Sequence, residues 1–535
     1  MLLGCGGNGK HAGDGAEDDA VPDPDAAQET DPAEAEDLAV EDVPEETAEE
    51  TGPDVEDIVE EEVVRPPSPY VMVRGLVHMH SPYSHDACDG HGLEGGVPDA
   101  ICMAELRAAP CIAGLAFVAL TDHPDFMRDY PLEDDMLYMP ALGDRLVIDG
   151  DDPVANLVDC PDGSEVMFTV GFEDNHSMPL GFRRHMPSPD LYDGIDDATP
   201  LDRALELNAA VEAAGAVKGV VHSEGPDISA GRIDEAGFEA MEWYNTHANI
   251  MVLLGGDTIT GEPTDVINTL GVLEDFLIGS SGPHPDLVLV AALPMMPMEG
   301  FAKWEEVQRA RPITGLLGSD AHRNVSVDPV CSGIWLTLCE LLATLYPSTL
   351  TLLISGGAIV LNDGDRIDSY QRIARWVENR LFVTEMTFDQ LDEALRAGRG
   401  YGVFSVFGDP EGFIFEGYQG STYVAMGDTV HGEVTLRLQA PLHPTALAGA
   451  PFTEEQAMTA LVRVLLKRVD SAGTSTVREL DDLGEGLEET FTQPGAYYVE
   501  VWLRPYHLGT ALASQSDLAS GEYLWLITNP IRLEP

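Results

Sequence analysis

Two histidines spaced i, i+2, His78 and His80, close a short apolar run, Leu76 and Val77, and a Ser-Pro-Tyr-Ser turn then presents His85 and Asp86. On a strand, residues two apart point to the same face, so both imidazoles can address one metal ion. Imidazole and carboxylate are the usual donors for such an ion, each offered from a defined direction. A histidine pair alone says little, but the same kind of ending recurs along the chain. Leu120-Thr121-Asp122-His123 closes a second apolar run, and Val170-Gly171-Phe172-Glu173 a third, with His176 three residues on. Val220-Val221-His222 closes another, and Gly318-Ser319-Asp320-Ala321-His322 a further one. A single strand-end histidine is ordinarily a satisfied polar residue; repeated His, Asp and Glu endings point to one shared site.

The elements that must position these groups alternate. From Tyr70 the pattern predicts strands over Val71–His78, Leu115–Thr121, Val166–Phe172, Val217–His222, Glu239–Tyr244, Leu287–Leu293 and Ile313–Ser319. Helices are predicted over Pro98–Ala108, Pro200–Ala214, Thr264–Leu277, Phe301–Arg311, Asp368–Asn379 and Phe388–Gly398. Strands alternating with helices argue an α/β domain with a mainly parallel sheet or barrel. In such a domain the C-terminal strand ends converge on one face. After Gly402 helical periodicity mostly stops. Val403–Phe407, Gly412–Glu416, Glu433–Gln439, Leu461–Val469, Ala496–Leu503 and Glu522–Thr528 read as an antiparallel β-sandwich. The expected organisation is a disordered acidic tail over 1–66, an α/β metal-binding domain over 67–402 and a β-sandwich domain over 403–535.

The motif set resembles the PHP family, the polymerase and histidinol phosphatase superfamily of metal-dependent hydrolases. The opening HxH with a turn and an acid is matched by His78, His80 and Asp86; the TDH element by Thr121-Asp122-His123; the GxE by Gly171-Phe172-Glu173; the later strand-end histidine by His222; and the SDAH by Ser319-Asp320-Ala321-His322. The resemblance covers about residues 70–400. It implies a distorted β/α barrel holding two or three divalent ions. Carried over residue by residue, it places one metal on His78, His80, Glu173 and Asp320, and a second on Glu173, His176 and His222. A third falls to Asp86, His123 and His322. His85 competes with Asp86 for the turn position, and His185 with His176. A PHP domain followed by a sandwich ending in Trp525-Leu526-Ile527-Thr528-Asn529-Pro530-Ile531 also looks like the carbaryl-hydrolase-like branch, some members of which cleave esters or carbamates.

The residue types support this assignment on their own. Nine His, Asp and Glu donors without cysteine suit Zn²⁺, Mn²⁺ or Fe²⁺. A structural zinc site needs four ligands and is closed; a surplus of donors implies open positions and catalysis. The expected mechanism is attack of a metal-bridging hydroxide on phosphorus or a carbonyl carbon, with Glu173, Asp122 and Arg323 as catalytic candidates. Asp122 adjoins His123 and is expected to hold an imidazole N–H. Arg183, Arg184 and Arg323 are candidates to grip an anionic group, each weighed against an ordinary surface ion pair. Glu224 reads as an acid or base, or as a helix N-cap. The Asn of Glu242-Trp243-Tyr244-Asn245 reads as structural, and His247, His284, His431, His443 and His507 as bystanders.

Composition bounds the partners. The formal charge of -66 repels polyphosphate backbones and excludes nucleic acid as a natural partner. The expected partner is a small molecule, anionic or ester-containing. No apolar run approaches the roughly 18 residues of a membrane-spanning helix. Leu2-Leu3-Gly4-Cys5 resembles a lipobox, in which Cys5 would carry a lipid, although the basic and apolar regions that precede one are not in this sequence. The tract from Gly6 to Val64, rich in Gly, Asp, Glu, Pro and Ala, reads as a tether. Export with a lipid anchor is therefore expected, and a cytoplasmic location if the lipobox is chance. Cys88, Cys102, Cys111, Cys160, Cys331 and Cys339 form no CxxC pair and leave disulfides and buried thiols equally open. The readings in play are a small-phosphoester hydrolase, a carboxylic ester, carbamate or amide hydrolase at the same metals, and a non-catalytic surface binding protein that keeps a metal-stabilised scaffold.

Overall fold

Val71–Met79 (β1) begins exposed and ends with its last five residues buried, because its C-terminal half is enclosed by neighbours on both edges. In chain order the other strands that build this layer are β2 (Phe117–Leu120), β3 (Glu165–Val170), β4 (Gly219–Val220), β5 (Ala240–Asn245), β6 (Thr314–Ala321), β7 (Glu378–Val383), β8 (Gly400–Val403) and β9 (Tyr523–Thr528). The computed structural model describes residues 65–535 apart from 256–265, 280, 328, 330–342 and 448–449. Residues 1–64 of the expected tail, with the lipobox cysteine Cys5, and Cys331 and Cys339 lie outside these residues.

Strands β3, β2, β1, β6, β5 and β4 lie side by side in that order, every pairing parallel. Strands β2, β5 and β6 are buried along their whole length, as strands covered on both faces must be. Helix α1 (Ala100–Ala113) is capped by Asp99, whose side chain accepts from the N–H groups of Ile101 and Cys102. Beyond β3, the segment from Asp174 turns back and bridges the other edge, Ser177 to Val220 and Leu180 to Val217. Gly171 permits this turn: a Cβ there would sit 1.8 Å from the Pro179 carbonyl oxygen. The protein is thus a mixed α/β molecule built on a large mixed sheet.

Some expected elements change, among them Val403–Phe407, which leaves its strand after Val403 and turns as a 3₁₀ helix over Ser405–Phe407. Leu287–Leu293, read as a strand, is helical: Pro285–Leu287 and Leu293–Met295 are 3₁₀ turns flanking the α-helix Val288–Ala292. A short, continuous apolar run carries no periodicity to separate the two states. The helix expected over Asp368–Asn379 is confined to Tyr370–Ile373, and Glu378 already opens β7. Arg145–Asp149 and Asp152–Asp159 form an antiparallel hairpin on the edge of β3 that the sequence reading did not foresee.

The sheet does not stop at Gly402. Strand β8 pairs with β7 on one edge and with β9 on the other, and β9 continues through Gly495–Arg504 to Leu461–Asp470. A separate four-stranded sheet joins Thr422–Val424, Ile414–Gln419, Val434–Gln439 and Gly486–Phe491. Two buried amides, Asn529 from this half and Asn379 from β7, tie their segments to β6. Asn529 accepts from the Gly315 N–H at 2.7 Å and donates to the Gly315 and Gly400 carbonyls. Asn379 accepts from Leu317 N–H at 2.9 Å and donates to its carbonyl at 2.8 Å. Each amide stands in for a strand neighbour and satisfies backbone groups that burial would otherwise strand. Disulfides join Cys88 to Cys102 and Cys111 to Cys160, and the first fastens the turn after Asp86 to α1.

Candidate metal centre

The C-terminal ends of β1, β2, β3, β4 and β6 meet, and their chemistry-bearing side chains meet with them. At His78 the strand is not regular: the register of β1 slips between Val77 and Met79 against both parallel neighbours, and His78 has a left-handed φ of 63°. His222 (φ 48°) and Asp320 (φ 49°) share that conformation. Each such residue costs about 1–3 kcal/mol and persists only where its surroundings over-determine it. Three at one set of strand ends mark backbone bent to aim side chains.

They aim at Glu173. Its Oε2 lies 2.9 Å from His78 Nε2 and 2.8 Å from His80 Nε2, while its Oε1 lies 2.8 Å from His222 Nε2. Asp320 Oδ1 stands 3.1 Å from His78 Nε2, 3.5 Å from His80 Nε2 and 3.1 Å from His322 Nδ1. Asp86 Oδ2 is 3.2 Å from His322 Nε2 and 3.7 Å from His123 Nε2. Donors about 2.1 Å from one tetrahedral ion sit roughly 3.4 Å apart, and the separations that involve Nε2 bracket that value. Two four-donor groups result, His78–His80–Glu173–Asp320 and His80–Asp86–His123–His322, the atoms of each within 4.8 Å of one another.

The ring orientations agree with metal ligation. His78 Nδ1–H donates to Glu242 Oε1 at 2.5 Å, and His80 Nδ1–H to Ser84 Oγ at 3.1 Å. His123 Nδ1–H donates to the Glu173 carbonyl at 2.9 Å, and His322 Nδ1–H to the Asp320 carbonyl at 3.0 Å. His222 Nδ1 sits 3.3 Å from Glu224 Oε1. In each ring Nδ1 is engaged by protein and Nε2 faces the cluster; at His78, His80, His123 and His322 the acceptor on Nδ1 fixes the ligand tautomer. His80 Nε2, His322 Nε2 and Asp320 Oδ1 are buried without a hydrogen-bond partner among the described residues. A divalent cation would satisfy these three converging atoms.

The charges tell the same story. Burial, then the neighbouring His322, pushes His80 down to about 4, which leaves its imidazole neutral, the form that binds metal. Burial opposes charge on His78, His222 and His322, yet the carboxylates of Asp320, Glu173, Glu242 and Asp86 raise all three well above the ordinary imidazole value. Against the same penalty, the Asp86 hydrogen bond and the Glu173 charge lift His123 to about 9. The field of the cluster is strongly cation-attracting. His78 and His80 are inaccessible, whereas the His123, His222 and Asp86 side chains remain 21%, 31% and 33% exposed, so solvent reaches the centre from that side.

Most of the expected residues are brought together, and some are not. Asp86 joins the cluster; His85 is half exposed and lies 3.5 Å from Asp125. His176 stays beside Gly225 with Nδ1 on the Val221 carbonyl, outside both donor groups. His185 has both ring nitrogens engaged, by Tyr192 Oη and the Tyr130 carbonyl.

Asp122 does not hold an imidazole. Its carboxylate accepts from Ser81 N–H at 2.5 Å and Ser81 Oγ–H at 2.6 Å, clamping the turn behind His80, and burial pushes it up to about 6. Arg323 pairs through Nε with Glu105 of α1 at 2.7 Å. Arg183 pairs with Asp149 and Asp389, and Arg184 is exposed. Glu224 is not an N-cap; the next helix is capped by Ser229. Sequence reasoning missed Ser84, which links His80, Asp86 and the His123 backbone, and Glu242. It also passed over His247, whose Nδ1–H donates to the Asp320 carbonyl at 3.1 Å. A lone carboxylate inside the wholly buried strand AMEWYN was the available signal for Glu242.

No family model matches the chain, and no curated protein does. Among solved structures it is similar to a two-domain protein from Bacteroides vulgatus containing a predicted PHP-like metal-dependent phosphoesterase. That match has 12% identity over 85% of this chain and 95% of the other, with a TM-score of 0.27. At that TM-score the likeness carries no weight for fold or function.

Proposed function

We propose that this chain is a metal-dependent hydrolase of the PHP type that cleaves small phosphoesters. The observation that carries the reading is the set of inward Nε2 atoms of His78, His80, His123, His222 and His322 around the carboxylates of Glu173, Asp86 and Asp320. Their outer nitrogens are anchored and three of the backbones are bent to reach. In this reading His78, His80, Glu173 and Asp320 hold one ion, and Glu173 with His222 and His176 a second. Asp86, His123 and His322 hold a third. Zinc, manganese and iron suit such donors. The bridges from Ser177 and Leu180 to the β4 side support a closed, distorted barrel over 67–402. The separate four-stranded sheet and the continuation of the large sheet support a β-sandwich over 403–535. The disulfides support an exported chain, with Cys5 as its lipid attachment.

Bound there, divalent ions supply Lewis acidity and a nucleophilic water at neutral pH. The chain supplies the rest. Glu173 presents one oxygen to His78 and His80 and the other to His222, so a single carboxylate ties two halves of the centre. Asp86 and Asp320 add negative charge on the remaining sides, which balances bound cations. Ser84 Oγ–H donates to Asp86 at 3.0 Å and fixes the carboxylate at the exposed rim, where substrate enters.

A panel of nitrophenyl phosphate, a nitrophenyl phosphodiester and a nitrophenyl carboxylate ester, with added Mn²⁺ or Zn²⁺, tests the assignment. Phosphoester turnover is expected, falling in Glu173→Gln by more than the roughly 10–100-fold typical of outer partners. Turnover of the carboxylate ester alone moves the assignment to ester or carbamate hydrolysis. No turnover of any substrate by metal-loaded protein leaves the surface-binding reading in its place.

A further inference from the structure

Glu242 is fully buried in the middle of β5, and each of its oxygens has a definite task. Oε1 accepts from His78 Nδ1–H at 2.5 Å; Oε2 accepts from the His222 backbone N–H at 2.9 Å, with Asn245 Nδ2 at 3.5 Å. His78 and His222 are two of the three left-handed residues of the centre, and they come from different strands. One carboxylate therefore holds both. The neighbouring strand makes room for it: a Cβ on Gly318 would fall 1.5 Å from Glu242 Oε1. The His222, Glu224 and Glu242 side chains also lie close enough to suggest an ion of their own. However, both Glu242 oxygens are already accepting, one from a ring and one from a backbone amide. A buried carboxylate is unfavourable unless such bonds compensate it.

We infer that Glu242 is a positioning residue of the metal centre. It fixes the His78 tautomer with Nε2 towards Glu173 and Asp320, and it locks the His222 turn so that its Nε2 reaches Glu173 from the opposite side. It touches neither ion nor substrate and acts through the two histidines. The inference rests on the metal-centre reading above.

The test is Zn²⁺ affinity of the full-length, demetallated protein, measured by competition with a chromogenic chelator, for wild type, Glu242→Gln, Glu242→Asp and a control, Glu274→Gln. Glu274 is a buried carboxylate that accepts from Ser348 and Thr349, outside the donor groups. Circular dichroism verifies folding of each. Glu242→Gln is expected to bind Zn²⁺ about 10–100-fold more weakly while folded. Glu242→Asp, whose carboxylate falls short of both donors, weakens binding in the same direction and replaces the Gln variant if that one does not fold. The control lowers melting temperature and leaves affinity within about twofold of wild type. Folded Glu242 variants with wild-type affinity overturn the inference while leaving the metal centre intact. The control losing affinity as much as they do also overturns it, because the effect is then general destabilisation. A wild type that takes up no Zn²⁺ removes the metal-centre reading, and this inference with it.

Discussion

At the scale of single residues, the turn after β1 separates two neighbours of similar chemistry. Asp86 reaches His123 and His322, while His85 faces Asp125 near the surface. Asp86→Ala is therefore expected to remove about one metal equivalent per chain and most turnover, and His85→Ala to leave both within about twofold of wild type. Metal analysis and a phosphatase assay on the two variants check this, and the reverse pattern would exchange their roles. The ligand types were legible in the sequence because a run of buried residues ending in His, Asp or Glu is chemically anomalous. Outer partners were less legible. Ser84 and Asn245 are ordinary turn and strand-end residues in sequence, and what marks them is a hydrogen bond across the fold. Asp122 and Arg323 mislead for the same reason: adjacency to a ligand in sequence does not decide which way a side chain turns. Ser81 and Glu105 took them.

At the scale of elements, β1 is held at its start by a buried charge cluster rather than by apolar packing alone. Glu378 of β7 accepts from Arg74 of β1 at 2.8 Å and from Arg380 at 2.6 Å. Burial disfavours its charge, but the Arg380 and Arg74 guanidiniums hold its carboxyl below the ordinary glutamate value. A depressed carboxylate contributes stability that is fully present above its unfolded value and is lost as pH falls through its folded one. Glu378→Gln removes the carboxylate shared by Arg74 and Arg380, while Arg380 keeps Asp409 at 2.7 Å, and is expected to cost at most about 3 kcal/mol near pH 7. The gap from wild type should shrink below pH about 4.5. Denaturant titrations at pH 7 and pH 4 measure it, and a gap that widens in acid would contradict the assignment. Parallel strands such as β2 and β6 were legible as short apolar runs bounded by turn residues. The hairpin over 145–159 was not, because its exposed, acidic edge residues mask the alternation, and its pairing depends on β3 as a template.

At the scale of the whole molecule, the centre depends on a sheet that runs from β3 through β1 and β7 into β8 and β9. The sequence reading expected a change of texture at residues 402 and 403, and the composition does change there; the hydrogen bonds cross it, and Asn529 reaches back to Gly315 on the strand that carries Asp320. Pairing between strands more than a hundred residues apart leaves no local trace, so this continuity was invisible in the sequence. The central claim is that these strand ends together build a multinuclear metal centre. Elemental analysis of divalent metal per chain, on protein purified without chelator, tests it most directly. Two or three equivalents are predicted; one equivalent or none would contradict the account.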